Sequence, residues 1–446
     1  MNLRNAWRFI HRVVSALAVL DTGIDRPAGR VVLFSCHDAD RAMSNGDRRF
    51  SPLLEGIREI VMELGYTTVN LTHPYAVFRS VKIKDEAITI NYRILAVRLC
   101  VLWRQLVTPN RAQGARLELE MRLYRDLLQT LSPEVVFSIQ PPLAMCQAAR
   151  QLGVRVAEAM HATNVSLSNR VFATHLANPD HLLPNFVLSF DDVTHATLAT
   201  LCAGREIIPL KANNPWLHSL RRIQAWSYKA MRKSPDEGKG GKRILVTLQW
   251  GYDGERASLS NIIPNGILHP VLEAAFAATT GHDIHFSIRM HPIQMIKPGY
   301  RHHSRYVKSL PARYPHVECA RASTMPLPLL LDEVCGHITM SSSSVGEAAS
   351  ANVPSLMLCP TLRRGGAHDG FFRELEGSGL VTFGELDTEA IVAWIERCAP
   401  RIGRNQSGYD AEQRHQAELR FYAAVIERAK ATPVAPANGE YCQGAS

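Results

Sequence analysis

Short runs rich in Val, Ile, Leu and Phe recur along this chain, each followed by a helical pattern and then by another run. Residues 30–35 form the first run, and Ser51-Pro52 opens a helix that keeps Leu53, Leu54, Ile57, Ile60, Val61 and Leu64 on one face until Gly65 ends it. Further strand patterns lie at 67–71, 134–139, 154–159, 186–190 and 206–210, with a helix at 142–152 closed by Gly153. Apolar runs of this kind suit strands buried on both faces, and their alternation with helices predicts parallel sheets of the α/β class.

The alternation stops once. Between Asn213 and Lys242 the pattern dissolves into Ser234-Pro235-Asp236-Glu237-Gly238-Lys239-Gly240-Gly241, a composition suited to a surface connection. A second series then runs through 244–249, 283–288, 316–320, 336–340, 354–359 and 380–383. At 446 residues, 46% hydrophobic and 20% charged, the chain is long enough for two cores. The expected organisation is an amphipathic N-terminal helix over 1–27, a Rossmann-like domain over 28–212, a linker over 213–243, a second Rossmann-like domain with a closing helix over 244–430, and a disordered tail over 431–446.

In the second series, the strand at 283–288 delivers Arg289-Met290-His291-Pro292 to its carboxyl end, and the strand at 336–340 delivers Ser341 to Ser344 followed by Gly346-Glu347-Ala348. Open α/β sheets bind ligands at that edge. Hydroxyls at the start of a helix of small residues predict a phosphate site: Ser341, Ser342, Ser343 and Ser344 beside the helix amides, Arg289 and His291 supplying positive charge, and Glu347 reaching a sugar hydroxyl. Gln249, with Thr247 and Gly251, is placed to line the same donor. The competing reading of these serines is ordinary N-capping beside a strand-end histidine.

Two successive Rossmann-like halves facing a cleft, with the phosphate signature in the second, resemble the GT-B architecture. Arg289-Met290-His291-Pro292 and Ser341-Ser342 resemble the HP and SS motifs of bacterial sialyltransferases and polysialyltransferases, and the R-x-H-P and S-S motifs of teichoic-acid polymerases. The stretch ending in Glu158-Ala159-Met160-His161-Ala162 resembles the E-x-Q-H-G segment of capsule and surface-polysaccharide proteins, with Met160 in place of Gln and Ala162 in place of Gly. No D/E-D/E-G acid motif stands where sialyltransferases carry it, since Asp236-Glu237-Gly238 falls in the linker. Nor does the serine segment match the glycine-rich, double-glutamate form of nonhydrolysing UDP-sugar 2-epimerases, which share the fold.

The resemblance implies a glycosyltransferase that moves a sugar from a nucleotide-activated donor to a growing capsule or O-antigen chain. Such transfer needs a base for the acceptor hydroxyl and stabilisation of the departing phosphate. His161 is the preferred base, with Glu158 orienting it; Asp38, together with His37 and Asp40, competes for that role. Inversion without a bound metal or other cofactor is the expected mechanism, the nucleotide sugar being a co-substrate. Arg363-Arg364-Gly365-Gly366 is a basic loop expected to close over the donor, or else a solvated turn.

Nine cysteines without a C-x-x-C pair suit a reducing cytoplasm, and a formal charge of +9 suits anionic partners although no nucleic-acid signature is present. From Arg79 through Arg125 there are ten Lys or Arg and four Asp or Glu. That stretch makes an anionic membrane surface, or a lipid-linked glycan acceptor, a candidate partner, as does the basic amphipathic start of the chain; packing on the first domain is the alternative for both.

Overall fold

The computed structural model describes residues 23–36, 43–45, 48–72, 87–107, 114–160, 163, 165–167, 174, 176–214, 241–252, 259, 261–296, 298–400 and 408–431. The N-terminal helix expected before residue 23, the linker residues 215–240 and the tail beyond 431 lie outside them.

Strands β1 (Val31–Cys36), β4 (Thr67–Thr72), β5 (Ala87–Thr89), β6 (Val135–Ile139), β7 (Arg155–Ala159), β8 (Phe186–Ser189) and β9 (Ile208–Lys211) form one sheet in the order β5-β4-β1-β6-β7-β8-β9. A two-stranded antiparallel ribbon, β2 (Met43–Asn45) and β3 (Arg48–Phe50), stands apart from it. A second sheet runs β12-β11-β10-β13-β14-β15, built from β10 (Lys242–Thr247), β11 (Ile284–Arg289), β12 (Val317–Glu318), β13 (Gly336–Thr339), β14 (Ser355–Met357) and β15 (Val381–Phe383). Every ladder in both large sheets is parallel. The α/β class with two parallel sheets is therefore the observed architecture, and the expected strands lie within a residue or two of their places.

Each sheet carries helices on both faces, which is why its strands read as unbroken apolar runs. In the first half Val32, Phe34, Phe137 and Phe186 form one core layer, and Leu33, Val136 and Val156 join Leu127, Leu128 and Met145 in the other. The helix Pro52–Glu63 turns Ile57 and Val61 into the first layer, and Gly65 follows it at φ 83°, a left-handed turn that a side chain would strain. In the second sheet β13 begins at Gly336, where an added Cβ would sit 3.0 Å from Cys398, Ile244 and Trp394 side chains, so close packing there requires glycine.

The last helix, Gly408–Ala431, packs on the first sheet although it follows the second in sequence. Its Tyr422, Val425, Ile426 and Ala429 are buried in the layer that holds Phe34, Phe137 and Ile57, with Tyr422 set edge-on to Phe137 at 6.0 Å. His415 Nε2 lies 2.9 Å from both carboxylate oxygens of Glu63, and Lys430 pairs with Glu134 at 2.8 Å beside the Arg30–Glu134 pair at 2.9 Å. Burial of the apolar side chains, at roughly 1.5–3 kcal/mol each, outweighs the partly exposed ion pairs, each worth about 1 kcal/mol or less. The closing helix expected of the second half thus completes the core of the first.

Candidate functional site

The second sheet is apolar on one face and polar along part of the other. Register places Ser287, Leu245, His337 and Ser355 in one row and Arg289, Thr247 and Thr339 in the row above, at the carboxyl ends of β11, β10 and β13. Helices Ala320–Thr324, Leu327–Leu331 and Ser344–Ser350 cover this face with Ala322, Leu329, Leu330 and Ala348. Polar groups under such a cover must find partners, and His337, Thr247, Thr339 and Ser355 do. His337, fully buried, sets Nε2 2.9 Å from the Thr247 hydroxyl and 3.2 Å from that of Ser344, and Nδ1 2.9 Å from that of Ser355. Burial pushes its imidazole down to about 3, so the ring is neutral at physiological pH.

Beyond the strand ends the chain segments are tied by glutamines. Gln249 holds Ser341: its Oε1 accepts from the Ser341 amide at 2.9 Å and hydroxyl at 3.0 Å, and its Nε2 donates to the Ser341 carbonyl at 3.1 Å. Only the carbonyl end of the glutamine can face that amide, which fixes its orientation. The Tyr252 hydroxyl, 2.8 Å away, then donates to Ser341.

Gln294, 1% exposed, performs the same service for the other motif. Its Oε1 accepts from the His291 amide at 2.9 Å, and its Nε2 donates to the Gln249 carbonyl at 3.3 Å and faces His303 Nδ1 at 3.1 Å. His291 Nδ1 in turn accepts from the Ile293 amide at 3.2 Å. His291 and Gln294 are therefore a reciprocal cap on the helix Pro292–Ile296, each side chain taking the backbone N–H the other's segment leaves open. With Nδ1 an acceptor, the neutral ring carries its proton on Nε2, on the side away from the helix. The Trp250 ring stands 6.4 Å from it.

The four serines divide. Ser344 is buried, its hydroxyl 3.0 Å from Thr247 and inside the His337 network, so it faces the core instead of the donor position expected for it. Ser341 is consumed by Gln249 and Tyr252. Ser342 is half-buried and its hydroxyl accepts from the Ser344 amide at 3.3 Å, while Ser343 is exposed. The helix that follows is only seven residues long, and the amides of Val345 and Gly346 already bond to the carbonyls of Ser342 and Ser343 at 3.2 and 3.0 Å. The amides expected to meet an anion are thus engaged in the tight first turn.

Arg289 also departs from its expected place. Its Nη1 donates to the carbonyls of Ala322 at 2.6 Å and Met325 at 2.5 Å, at the end of the helix Ala320–Thr324. Burial pushes its guanidinium down to about 10, against a rise from the Glu347 carboxylate, and it stays charged at neutral pH. Arg289 therefore lies within electrostatic reach of Glu347 and braces the end of the covering helix Ala320–Thr324. The basic loop is folded: Arg363 donates to the Gly384 carbonyl at 3.1 Å, and the Gly365 amide donates to Asp369 at 2.8 Å.

In the first half, His161, Asp38, His37 and Asp40 lie outside the described residues. Glu158 is one residue from the end of β7, buried, in register with Ser138 and on the face that packs against the helix Leu143–Gln151. Burial pushes the Cys146 thiol on that helix up, and Glu158 adds to the shift. At the end of β8 the Ser189 hydroxyl meets His195 Nδ1 at 3.2 Å, a pairing the sequence reading passed over.

Gln294, Tyr252 and His337 were also passed over. The first carried a signal, since Gln three residues after a helix cap is the capping-box spacing. The histidine had none, because a strand-centre histidine acquires its role only from the strands beside it.

No family model matches the sequence, and no curated protein matches it. Solved structures do. The chain is similar to UDP-GlcNAc 2-epimerase from Neisseria meningitidis bound to UDP-GlcNAc, at TM-score 0.50 and 14% identity over 90% of this chain and 99% of that one. It is similar to UDP-N-acetylglucosamine 2-epimerase from Rickettsia bellii at TM-score 0.51 and 12% identity over 90% and 98%. The enzyme from Methanocaldococcus jannaschii in complex with UDP-GlcNAc and UDP gives 0.50 and 13% over 88% and 100%. The fold is GT-B. At these identities the likeness extends to architecture, two parallel sheets in two domains, and no further.

Proposed function

We propose that this chain is a nucleotide-sugar-dependent enzyme that holds its donor at the carboxyl edge of the second sheet and transfers the sugar to a surface-polysaccharide acceptor. The observation that carries the reading is the tie from Ser341 through Gln249 and Gln294 to His291, which fixes both motifs in one rigid frame at the edge where such sheets take ligands. His291 donates from Nε2 to a phosphate oxygen, and the Ser342 and Ser343 hydroxyls add hydrogen bonds to the same group. Arg289, fixed beneath them, contributes charge without direct contact. Together they stabilise the phosphate as it leaves. His161, oriented from the first half, is the proposed base, and the donor is a co-substrate with no further cofactor required.

A second reading is epimerisation of a UDP-sugar, favoured by the named activity of the similar solved structures. A third is a GT-B module that binds nucleotide without turnover, favoured by Met160 and Ala162 in the His161 segment. Thermal-shift titration with CMP, CDP, UDP and GDP tests the shared premise, because a ligand that binds the native state raises its melting temperature. Silence with all four sinks the donor site. Incubation with the stabilising nucleotide's sugar separates the readings: conversion without acceptor identifies an epimerase, conversion only with a glycan acceptor a transferase, and binding without either a non-catalytic module.

A further inference from the structure

The helix Asn91–Val107 leaves its second half uncovered. Ile94, Leu95 and Val101 are buried against the first domain, yet Leu99 is 50% exposed, Trp103 68%, Leu106 80% and Val107 57%, with Leu102 at 38%. At about 100° per residue these five side chains span an arc of roughly 140° on one face. They are too large and too contiguous to be scattered surface residues.

Charge surrounds the arc. The same rotation sets Arg93 and Arg104 along one side and Arg98 along the other, and the helix contains no acidic residue. The neighbouring helix Ala115–Leu131 adds Arg116, Arg122 and Arg125 against Glu118, Glu120 and Asp126. Arg98 pairs with Glu120 at 3.0 Å and Arg104 with Glu118 at 3.7 Å, and across the two helices six arginines stand against three acidic residues, an excess of three positive charges. The pair of helices therefore joins an apolar crest to a net positive charge.

We infer that the exposed arc Leu99, Leu102, Trp103, Leu106 and Val107 docks on an anionic lipid surface, lying in the plane of the bilayer. An apolar face that carries an indole, set in helices with an excess of arginine, matches the acyl boundary and the headgroup layer respectively. A second copy of the chain would instead set two surfaces of the same net charge against each other. No helix among the described residues is long and apolar enough to cross a membrane, so the contact is interfacial. The surface stands apart from the nucleotide site and does not depend on it.

Flotation of the full chain with vesicles of equal parts phosphatidylglycerol and phosphatidylcholine tests this. The chain floats with these vesicles, floats little with phosphatidylcholine alone, and is released by salt. Leu102→Ser with Leu106→Ser lowers the bound fraction by about tenfold. The fluorescence difference between the wild type and Trp103→Phe shifts to the blue on vesicles. The double variant keeps the wild-type melting temperature, since both positions are exposed, and the wild-type response to nucleotide. Absence of binding to anionic vesicles, or undiminished binding by the double variant, overturns the proposal. So does a dimer, seen by light scattering without lipid, that the double variant converts to monomer, which gives the surface to a second copy.

Discussion

Gln249 grips Ser341 by all three of its polar backbone and side-chain groups, accepting from the amide and the hydroxyl and donating to the carbonyl. One side chain at the end of β10 thus sets the position of the turn that follows β13. Gln249→Glu retains the two acceptor contacts and loses the donor. It is expected to cost about 1–2 kcal/mol in denaturant unfolding, whereas Gln249→Ala costs about 2–4 kcal/mol and weakens nucleotide binding as the turn relaxes.

His291 has two jobs that a single substitution separates. Asparagine is a good N-cap and takes over the bond to the Ile293 amide, but it has nothing where Nε2 stands. His291→Asn is expected to hold the melting temperature near the wild-type value while nucleotide affinity, by calorimetry, falls at least about tenfold, the worth of one charge-assisted hydrogen bond. His291→Ala loses affinity too, and in addition about 1 kcal/mol of stability. Equal affinity in His291→Asn and wild type removes the histidine from the donor site.

Ser343 and Ser344 are adjacent and should behave oppositely. Ser344→Ala leaves Thr247 and His337 short of one buried partner and is expected to cost about 1–2 kcal/mol with nucleotide binding intact. Ser343→Ala is expected to leave stability within about 0.5 kcal/mol and to reduce affinity several-fold. Paired melting curves with and without nucleotide read both effects.

His337 gives the fold a sensitivity to acid. Its folded value is held near 3 by burial, below the ordinary 6.5. The stability this neutral ring supports is complete above about pH 6.5 and declines as pH falls toward 3, because the unfolded chain takes up a proton that the folded chain excludes. Against His337→Gln, the wild type should lose about 1.4 kcal/mol per pH unit between pH 6 and 4. His269 and His316, lowered by the same cause, are common to both proteins and cancel. Parallel stability–pH curves would show that the ring is solvated.

Tyr422 fills space between the last helix and Phe137. Tyr422→Ala is expected to cost about 3–5 kcal/mol. Hydrogen exchange should show the loss in β1, β6 and the helix Pro52–Glu63, with β10 to β15 unaffected.

The fold was legible because both sheets are covered on both faces, so runs such as Ile244 to Val246 or Val135 to Phe137 have no polar interruption to blur them. The edge strand β5 was not, since Ala87 to Thr89 is too short to carry a pattern. Among the serines, sequence located the turn but not the direction of each hydroxyl. That depends on Thr247 and Gln249, which come from a segment far away in the chain, and on His337, whose ring is held by the strands beside its own. Arg289 misled for a similar reason: a charge at a strand end looks available until the helix Ala320–Thr324 lays its carbonyls across it.

Because residues 422–429 supply one wall of a core whose other walls are made before residue 212, the first domain cannot finish folding when its own strands leave the ribosome. The second domain, assembled wholly from residues in between, has no such wait. Synthesis order and folding order should therefore be inverted in this chain, with the amino-terminal half held as an open, apolar-edged intermediate until the final helix arrives.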